Sequence, residues 1–227
     1  GSDLTKTARF GQSTRNYNSI AGEALWIDEI GQPRRYTNLN DVGRAASFAE
    51  ALDSITIPGA MADPAELPVE WRCVAVLSEM LKYTRKPVTL WLHDRASANY
   101  IVEMITALRG DKKKAVQFPL TYAFLEPISP LRFPFHGIDL LFETSKINMP
   151  VSIGPMAQMG MSAPATIAGT MALENAEILA GICVTQLIKS GTAVCYGGIC
   201  HAFDMNTTQM IFAGPEQAIF GAAMTQM

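Results

Sequence analysis

Short apolar runs alternate with longer stretches of helical spacing along most of this chain. Five runs have the continuous apolar character of strands buried on both faces, at residues 55–57, 88–92, 115–125, 151–153 and 193–196. Between them, apolar positions three and four residues apart predict helices at residues 69–83, 97–109, 137–145, 164–189 and 215–227. Pro164 and Pro215 suit first helical turns, since proline there loses no intrahelical hydrogen bond.

Strands that alternate with helices imply a parallel sheet covered by helices. An open doubly wound sheet and an eight-fold barrel both have this pattern. No Gly-x-Gly-x-x-Gly follows the first strand, and residues 215–227 carry no helix stop signal, which favours the barrel. The sequence therefore predicts an α/β fold: a TIM-type (β/α)8 barrel, present as an amino-terminal portion of about five βα units, with further units beyond Met227.

Composition and polarity divide the chain into two predicted parts. Residues 1–52 form a polar lead-in, in which Asp41 is expected to cap a short helix that ends near Leu52. Residues 53–227 form the partial barrel, which we expect to be truncated at its carboxyl end. Hydrophobic residues make up 48% and charged residues 17%, so disorder is excluded.

Charge and cysteine content limit the partners and the compartment. The net charge of -3 gives no reason to expect nucleic acid, and we interpret the basic run at residues 112–114 as a solvated turn. The longest apolar region, residues 167–188, contains Glu174 and Glu177, which predicts a buried amphipathic helix rather than a membrane span. No charged-then-apolar leader opens the chain, and its four cysteines lack regular spacing, so we expect a cytoplasmic protein.

Chemically useful residues should follow the strands, because α/β enzymes work at the carboxyl ends of their strands. His93 and Asp94 end one apolar run, either as an acid/base pair or as a satisfied histidine beside a helix-capping aspartate. Glu126 ends the next run before a proline-rich loop, as a base, a cation partner or a simple surface residue.

The loop at residues 154–164 is rich in Met, Pro and Gly and carries no charge, which suits a large apolar partner. Gly197 and Gly198 permit either a phosphate cradle or close backbone approach. Cys195, Cys200 and His201 carry zinc-type ligands at a spacing that is not standard, so core cysteines are the competing interpretation.

Several short motifs resemble the trimethylamine methyltransferase family in order and approximate spacing. The resemblance covers most of the chain and is strongest after Pro150. The motifs are Asp53-Ser-Ile-Thr-Ile57, Lys86-Pro87, Gly154-Pro-Met-Ala157, Ala163-Pro-Ala-Thr-Ile-Ala-Gly169, Ala172-Leu-Glu-Asn-Ala-Glu-Ile-Leu-Ala-Gly181, Tyr196-Gly-Gly198 and Ala213-Gly-Pro-Glu216.

The resemblance implies an eight-fold barrel that transfers a methyl group from a tertiary or quaternary amine to the cobalt of a separate corrinoid protein. Cobalamin would then be supplied by that partner, with no cofactor bound directly by this chain. The resemblance also implies two branches, one that uses pyrrolysine for trimethylamine and one that lacks it and takes quaternary amines such as glycine betaine. This chain contains no pyrrolysine.

Position at the strand ends, rather than a family motif, nominates the residues of the site. Each set is given with its predicted role: catalytic, Glu126 and His93; substrate-binding, Tyr122, Phe124, Tyr196, His201 and Gln158; corrinoid-facing, Met156, Met159, Gly197 and Gly198. Aromatic faces and a carboxylate suit a methylammonium, and His93 or His201 suits a betaine carboxylate. We expect no metal in the chain, no nucleic-acid or membrane partner, and a homo-oligomer.

Two other functions fit the same pattern. One is a barrel lyase or aldolase that uses His93, Asp94 and Glu126 for acid/base chemistry and Gly197-Gly198 for a phosphate. The other is a truncated barrel without catalysis, whose open strand edges would favour self-association.

Overall fold

The structure is a computed structural model that describes residues 1–11 and 15–227. The chain divides into two compact units, Gly1–Tyr122 and Ala123–Met227. Residues 12–14 of the predicted lead-in lie outside the described residues. The boundary that we predicted between the polar lead-in and the partial barrel, after residue 52, is not the boundary between these two units, and it stays a prediction.

The first unit is mainly helical. Its elements are the antiparallel pair β1 (Leu25–Trp26) and β2 (Arg35–Tyr36), followed by α1 (Leu39–Ala51), α2 (Val69–Tyr83), α3 (Arg95–Arg109) and α4 (Lys112–Gln117). The helices predicted at residues 69–83 and 97–109 are confirmed within two residues at each end.

Side-chain caps explain where these helices begin. Asn38 rather than Asp41 caps α1: its side chain accepts from the Asp41 backbone N–H, and the Asp41 carboxylate accepts from the Asn38 N–H in return. The prediction for Asp41 was therefore wrong by three residues. Asp94 caps α3, and Asp111 caps α4, which turns the expected solvated turn at residues 112–114 into a helix.

The expected strands of the first unit are reduced to isolated bridges. Ile57 bridges to Asn18, and Gly59 bridges to Thr89, both in parallel orientation. Prolines interrupt these runs, since Pro58 and Pro87 have no N–H to continue a ladder. The core of this unit consists of apolar helix faces instead; its largest buried side chains include Leu77, Met80, Ile101 and Ile105.

The second unit is built on a three-stranded parallel sheet. Its order is β3 (Ala123–Leu125), β4 (Val151–Ile153), β6 (Val194–Tyr196). The crossovers are α5 (Phe135–Thr144), which runs into a 3-10 turn at Ser145–Ile147, and α6 (Ile167–Ile188). The predicted strands at residues 151–153 and 193–196 are confirmed, whereas the strand predicted at residues 115–125 begins only at Ala123.

A second small sheet lies within the part that we had predicted to be loop. In it β5 (Gln158–Met159) pairs in parallel with β7 (His201–Asp204), and β7 pairs antiparallel with β8 (Gln209–Ile211). The chain then enters α7 (Pro215–Met224), with Pro215 in its first turn as predicted. Across residues 1–11 and 15–227, the strands form three separate sheets, and none closes into a barrel.

Helix α6 differs from the amphipathic helix that we predicted. Its inward stripe is largely polar, whereas Leu179 and Leu187 are exposed, the latter by 86%. It is the one helix of the described chain that is long and apolar enough to cross a bilayer, judged by length and composition alone. Its buried residues are Thr170, Glu174, Glu177, Ile178, Gly181 and Thr185.

Candidate functional site

The carboxyl end of the three-stranded sheet holds several of the predicted site residues. The strands are in register, so that Phe124, Ser152 and Cys195 form one row and Leu125, Ile153 and Tyr196 form the next. Successive rows face opposite sides of a sheet. Gly181 of α6 lies against the Ile153 side chain, which identifies the side of the sheet that the helix covers.

Glu126 directly follows the buried Leu125 and is itself half-buried. Burial raises the pKa of the Glu126 carboxyl above its ordinary value, because a low-dielectric environment disfavours the charged form. A carboxylate with a raised pKa is a stronger base and a stronger partner for a cation than one in water. The position and environment of Glu126 thus fit the catalytic role predicted for it.

Glu174 of α6 is buried next to the turn that follows β6. Burial raises its pKa to about 8, and repulsion from Glu177 acts in the same direction. Its Oε2 contacts the buried thiol of Cys200, and its Oε1 has no hydrogen-bond partner among the residues that the structure describes. Glu174 therefore carries a proton during much of its time near neutral pH, which allows so apolar a location.

Gly198 leaves the space that Glu174 fills. A Cβ at Gly198 would lie 2.7 Å from Glu174 Oε1 and 2.8 Å from Met224 Cε, both closer than van der Waals contact allows. A Cβ at Gly197 would meet no atom closer than 3.5 Å. Gly198 therefore allows the backbone to approach the Glu174 carboxyl closely. A carboxyl group at this place opposes the binding of a phosphate, which removes support from the lyase alternative.

Tyr196 and Phe124 take different positions at this end of the sheet. The Tyr196 hydroxyl donates to Asn175 Oδ1 at 2.8 Å, which ties β6 to α6. The ring of Phe124 lies over Gly154, where a Cβ would approach its Cε2 and Cζ to 2.8 Å. Phe124 of β3 is thus half-buried, with its ring against the residue that follows β4, and it precedes Glu126 by two residues in the chain.

The second sheet brings Gln158 and His201 together as register partners. His201 is fully buried, its ring nitrogens have no hydrogen-bond partner among the described residues, and its ring centroid lies 4.4 Å from that of Phe212. Burial lowers the pKa of His201, so the ring is neutral at neutral pH.

The four residues predicted to face a corrinoid are all half-buried. Met156 follows β4, and Met159 pairs with Ala202 of β7. Gly197 and Gly198 follow β6. Two strand ends and the adjacent small sheet therefore supply these residues, and their role remains a prediction.

His93 and Tyr122 belong to the first unit. His93 Nε2 lies 3.7 Å from Asp63 Oδ1, and burial lowers the pKa of His93. The hydroxyl of Tyr122 accepts hydrogen bonds from Asn18 and Thr89, each at 3.0 Å. The neighbouring Asp94 is a helix cap, as the structural interpretation of the His93-Asp94 pair predicted.

The zinc interpretation finds no geometric support in the described residues. They contain no cluster of three or more His, Cys, Asp or Glu side chains placed to hold a metal ion. Cys200 is buried as expected for a core cysteine, whereas Cys195 is exposed. Cys195 was predicted in the core, but its side chain is on the face of the sheet that α6 does not cover.

Comparison with known proteins decides which family this architecture represents. The family model of trimethylamine methyltransferase matches residues 6–227. The chain belongs to the trimethylamine methyltransferase family. The resemblance that the short motifs indicated is thereby confirmed.

Named members of the trimethylamine methyltransferase family align with most of this chain. It is 30% identical over 205 residues to a glycine betaine methyltransferase of Desulfitobacterium hafniense, covering 90% of this chain and 43% of that protein. It is 27% identical over 222 residues to a trimethylamine methyltransferase of Methanosarcina acetivorans, covering 96% of this chain and 43% of that protein. The chain thus spans less than half the length of these relatives.

Two buried carboxyl groups near the candidate site, Glu174 and Glu177, were not nominated from the sequence. Glu174 and Glu177 were visible in the sequence only as interruptions of the most apolar stretch. That signal was informative, because a carboxylate within an apolar helix has to be neutral or supplied with donors. The sequence did not reveal which of the two conditions each residue meets.

Proposed function

We propose that this chain is part of an enzyme that moves a methyl group from a tertiary or quaternary amine to the cobalt of a corrinoid protein. The observation that carries the proposal is the family match over residues 6–227. Relatives named glycine betaine methyltransferase and trimethylamine methyltransferase support a methyltransferase role. The complete fold would be a (β/α)8 barrel, to which the parallel sheet and its crossover helices contribute.

In this reaction the role of the chain is to bind and orient the amine, not to attack it. A methylated ammonium loses its methyl group to the reduced cobalt that a partner carries, and it leaves as a neutral amine. Glu126 supplies a desolvated carboxylate for the cation, and Phe124, two residues earlier in the chain, supplies an aromatic face. Holding the reactants in line lowers the barrier without a protein nucleophile.

The substrate could be glycine betaine or trimethylamine, and the two place different demands on the site. A betaine carboxylate needs a donor, and the neutral ring of His201 has one N–H to give. Gln158, the register partner of His201, adds an amide donor. Tyr196, at the end of β6, would form part of the wall around the methyl groups.

The acceptor would arrive on a second protein. Met156 and Met159 offer an adaptable apolar surface to a corrinoid ring, and Gly197 allows close approach of the backbone. We propose a cytoplasmic enzyme that works as a homo-oligomer with this partner.

A methyl-transfer assay tests the proposal. The protein is mixed with a corrinoid protein in the reduced cob(I) state, glycine betaine or trimethylamine is added in turn, and the corrinoid absorbance is followed. We expect an amine-dependent spectral change that Glu126→Gln slows at least tenfold, while Glu143→Gln, at a buried carboxylate paired with Lys146, leaves the rate within threefold. No change with any amine would reject the proposed reaction for those substrates.

A further inference from the structure

One buried carboxylate ties the turn after β3 to helix α6. The Ser129 hydroxyl donates to Glu177 Oε2 at 2.8 Å, and the Leu131 backbone N–H donates to Glu177 Oε1 at 2.7 Å. Glu177 is only 1% exposed. Each of its oxygens thus has a donor from the same turn, which satisfies a carboxylate that would otherwise be costly to bury.

The turn that Glu177 holds has an unusual backbone. Ile128 and Arg132 exchange backbone hydrogen bonds of 2.7 and 3.3 Å, which closes the turn. Inside it, Leu131 has φ +57°, in the left-handed region that a branched side chain seldom adopts. The Leu131 side chain is 65% exposed, so its own burial contributes little to this conformation. The bond from its N–H to the buried carboxylate stabilises it instead.

Glu126 lies at the start of the same loop, three residues before Ser129. The strand β3 fixes the loop on one side of Glu126, and Glu177 fixes it on the other. We propose that Glu177 is a positioning residue, which holds the turn at residues 128–132 so that Glu126 keeps its half-buried place at the carboxyl end of the sheet. This inference rests on the proposed function, in which Glu126 contacts the amine.

Three variants separate the hydrogen bonds of Glu177 from its charge. Glu177→Gln keeps both bonds, because the amide oxygen can accept from Leu131 and the amide NH2 can donate to Ser129 Oγ. Glu177→Ala removes both bonds, and Ser129→Ala removes one. Glu143→Ala is the matched control, since Glu143 is also buried in this unit but pairs with Lys146.

Two readouts do not depend on methyl transfer. Hydrogen exchange at the Leu131 amide should be at least tenfold faster in Glu177→Ala and unchanged in Glu177→Gln and Glu143→Ala. In NMR titrations, the raised pKa of Glu126 should fall toward its ordinary value in Glu177→Ala, because the loosened loop exposes the carboxyl to water. Unchanged exchange and titration in Glu177→Ala would overturn the positioning role whatever the activity.

A double-mutant cycle tests whether Glu177 acts through Glu126. In the full enzyme, Glu177→Ala should lower kcat/KM at least tenfold, Glu177→Gln should stay within threefold of wild type, and Glu126→Gln/Glu177→Ala should be no slower than Glu126→Gln alone. Additive losses in the double variant would show that Glu177 acts independently of Glu126. A Glu177→Gln variant as slow as Glu177→Ala would show that the charge of Glu177, rather than its hydrogen bonds, matters. Either result would overturn the inference. An inactive wild type would reject the proposed function, while exchange and titration would still decide the role of Glu177.

Discussion

The carboxyl group of Glu174 contacts the thiol of Cys200, and both side chains are buried. The pair joins α6 to the residue that directly precedes β7, so one contact connects the long helix with the small second sheet. A thiol is a weak hydrogen-bonding partner and offers no positive charge. The thiol therefore offsets little of the cost of burying an ionised Glu174, and burial keeps the carboxyl mostly neutral.

Glu174 should make the protein less stable as the pH rises. Its folded pKa is about 8 and its ordinary value is 4.5, so the folded state holds a proton that the unfolded state releases between these values. The free energy of unfolding should fall across pH 4.5 to 8, by at most about 1.4 kcal/mol per pH unit from this group, and then level off. Chemical denaturation at a series of pH values measures the slope.

Glu174→Gln should remove most of that slope, because the amide mimics the protonated carboxyl and does not ionise. Glu143→Gln is the matched control: it also replaces a buried carboxylate, but one that has Lys146 as a partner. An equally steep slope in Glu174→Gln would show that other groups produce the pH dependence.

The two neighbouring glycines after β6 should respond differently to alanine. Gly198→Ala places a methyl group against Glu174 and Met224, and the buried carboxyl has little room to move, so we expect a loss of about 1–3 kcal/mol in unfolding free energy. Gly197→Ala makes only ordinary contacts and should cost less than about 0.5 kcal/mol. Thermal unfolding measures both variants, and equal losses would contradict the close packing over Gly198.

The helices could be predicted well from the sequence because their signals are local. The apolar spacing of α2 and α3 sets their lengths, and Asp94 and Asp111 are ordinary caps. Strands depend on partners far along the chain, so β7 and β8 had no recognisable signal, and Ile57 and Thr89 form only bridges. Prolines beside these positions were the sign that no full ladder would form.

The sequence predicted where the candidate site residues lie along the strands, but not which residues their side chains contact. Glu126 was nominated because it follows an apolar strand; the structure places it half-buried there, and its catalytic role stays a prediction. Glu177 could not be assigned, since its donors lie 46 and 48 residues away in a turn without regular structure. The polar inward stripe of α6 also reverses the usual rule that apolar side chains face the core, so the prediction of an ordinary buried amphipathic helix did not describe its packing.

Lys86, part of a family-like motif, should act on stability rather than on catalysis. Its ammonium donates to the carbonyl oxygens of Ala49, Leu52 and Ile55 at 2.8 to 2.9 Å, and the residue is buried. Lys86→Met keeps the length of the side chain but leaves three carbonyls near the end of α1 without this donor. We expect a loss of about 2–4 kcal/mol in the free energy of unfolding, measured by urea denaturation.

Lys113→Met is the control for Lys86, since Lys113 is exposed on α4. It should cost less than about 0.5 kcal/mol. A Lys86→Met variant as stable as Lys113→Met would show that water replaces the three hydrogen bonds without cost.

His201 should limit stability on the acid side. Burial lowers its folded pKa below the ordinary 6.5, so below about pH 6.5 the unfolded state takes up a proton that the folded state refuses. Stability from the neutral ring is therefore complete above pH 6.5 and is lost as the pH falls toward the folded pKa. His201→Leu should flatten this acid loss while keeping an apolar contact with Phe212, and denaturation between pH 5 and 7.5 measures it. The exposed His136 of α5 supplies the control, because His136→Leu should leave the acid slope as it is in wild type. Glu174 changes the stability in the opposite direction over these pH values, so both histidine variants are compared in the Glu174→Gln background. In that background, a protein without acid loss between pH 5 and 7.5, or a His201→Leu variant that retains the loss, would contradict a buried neutral ring at this position.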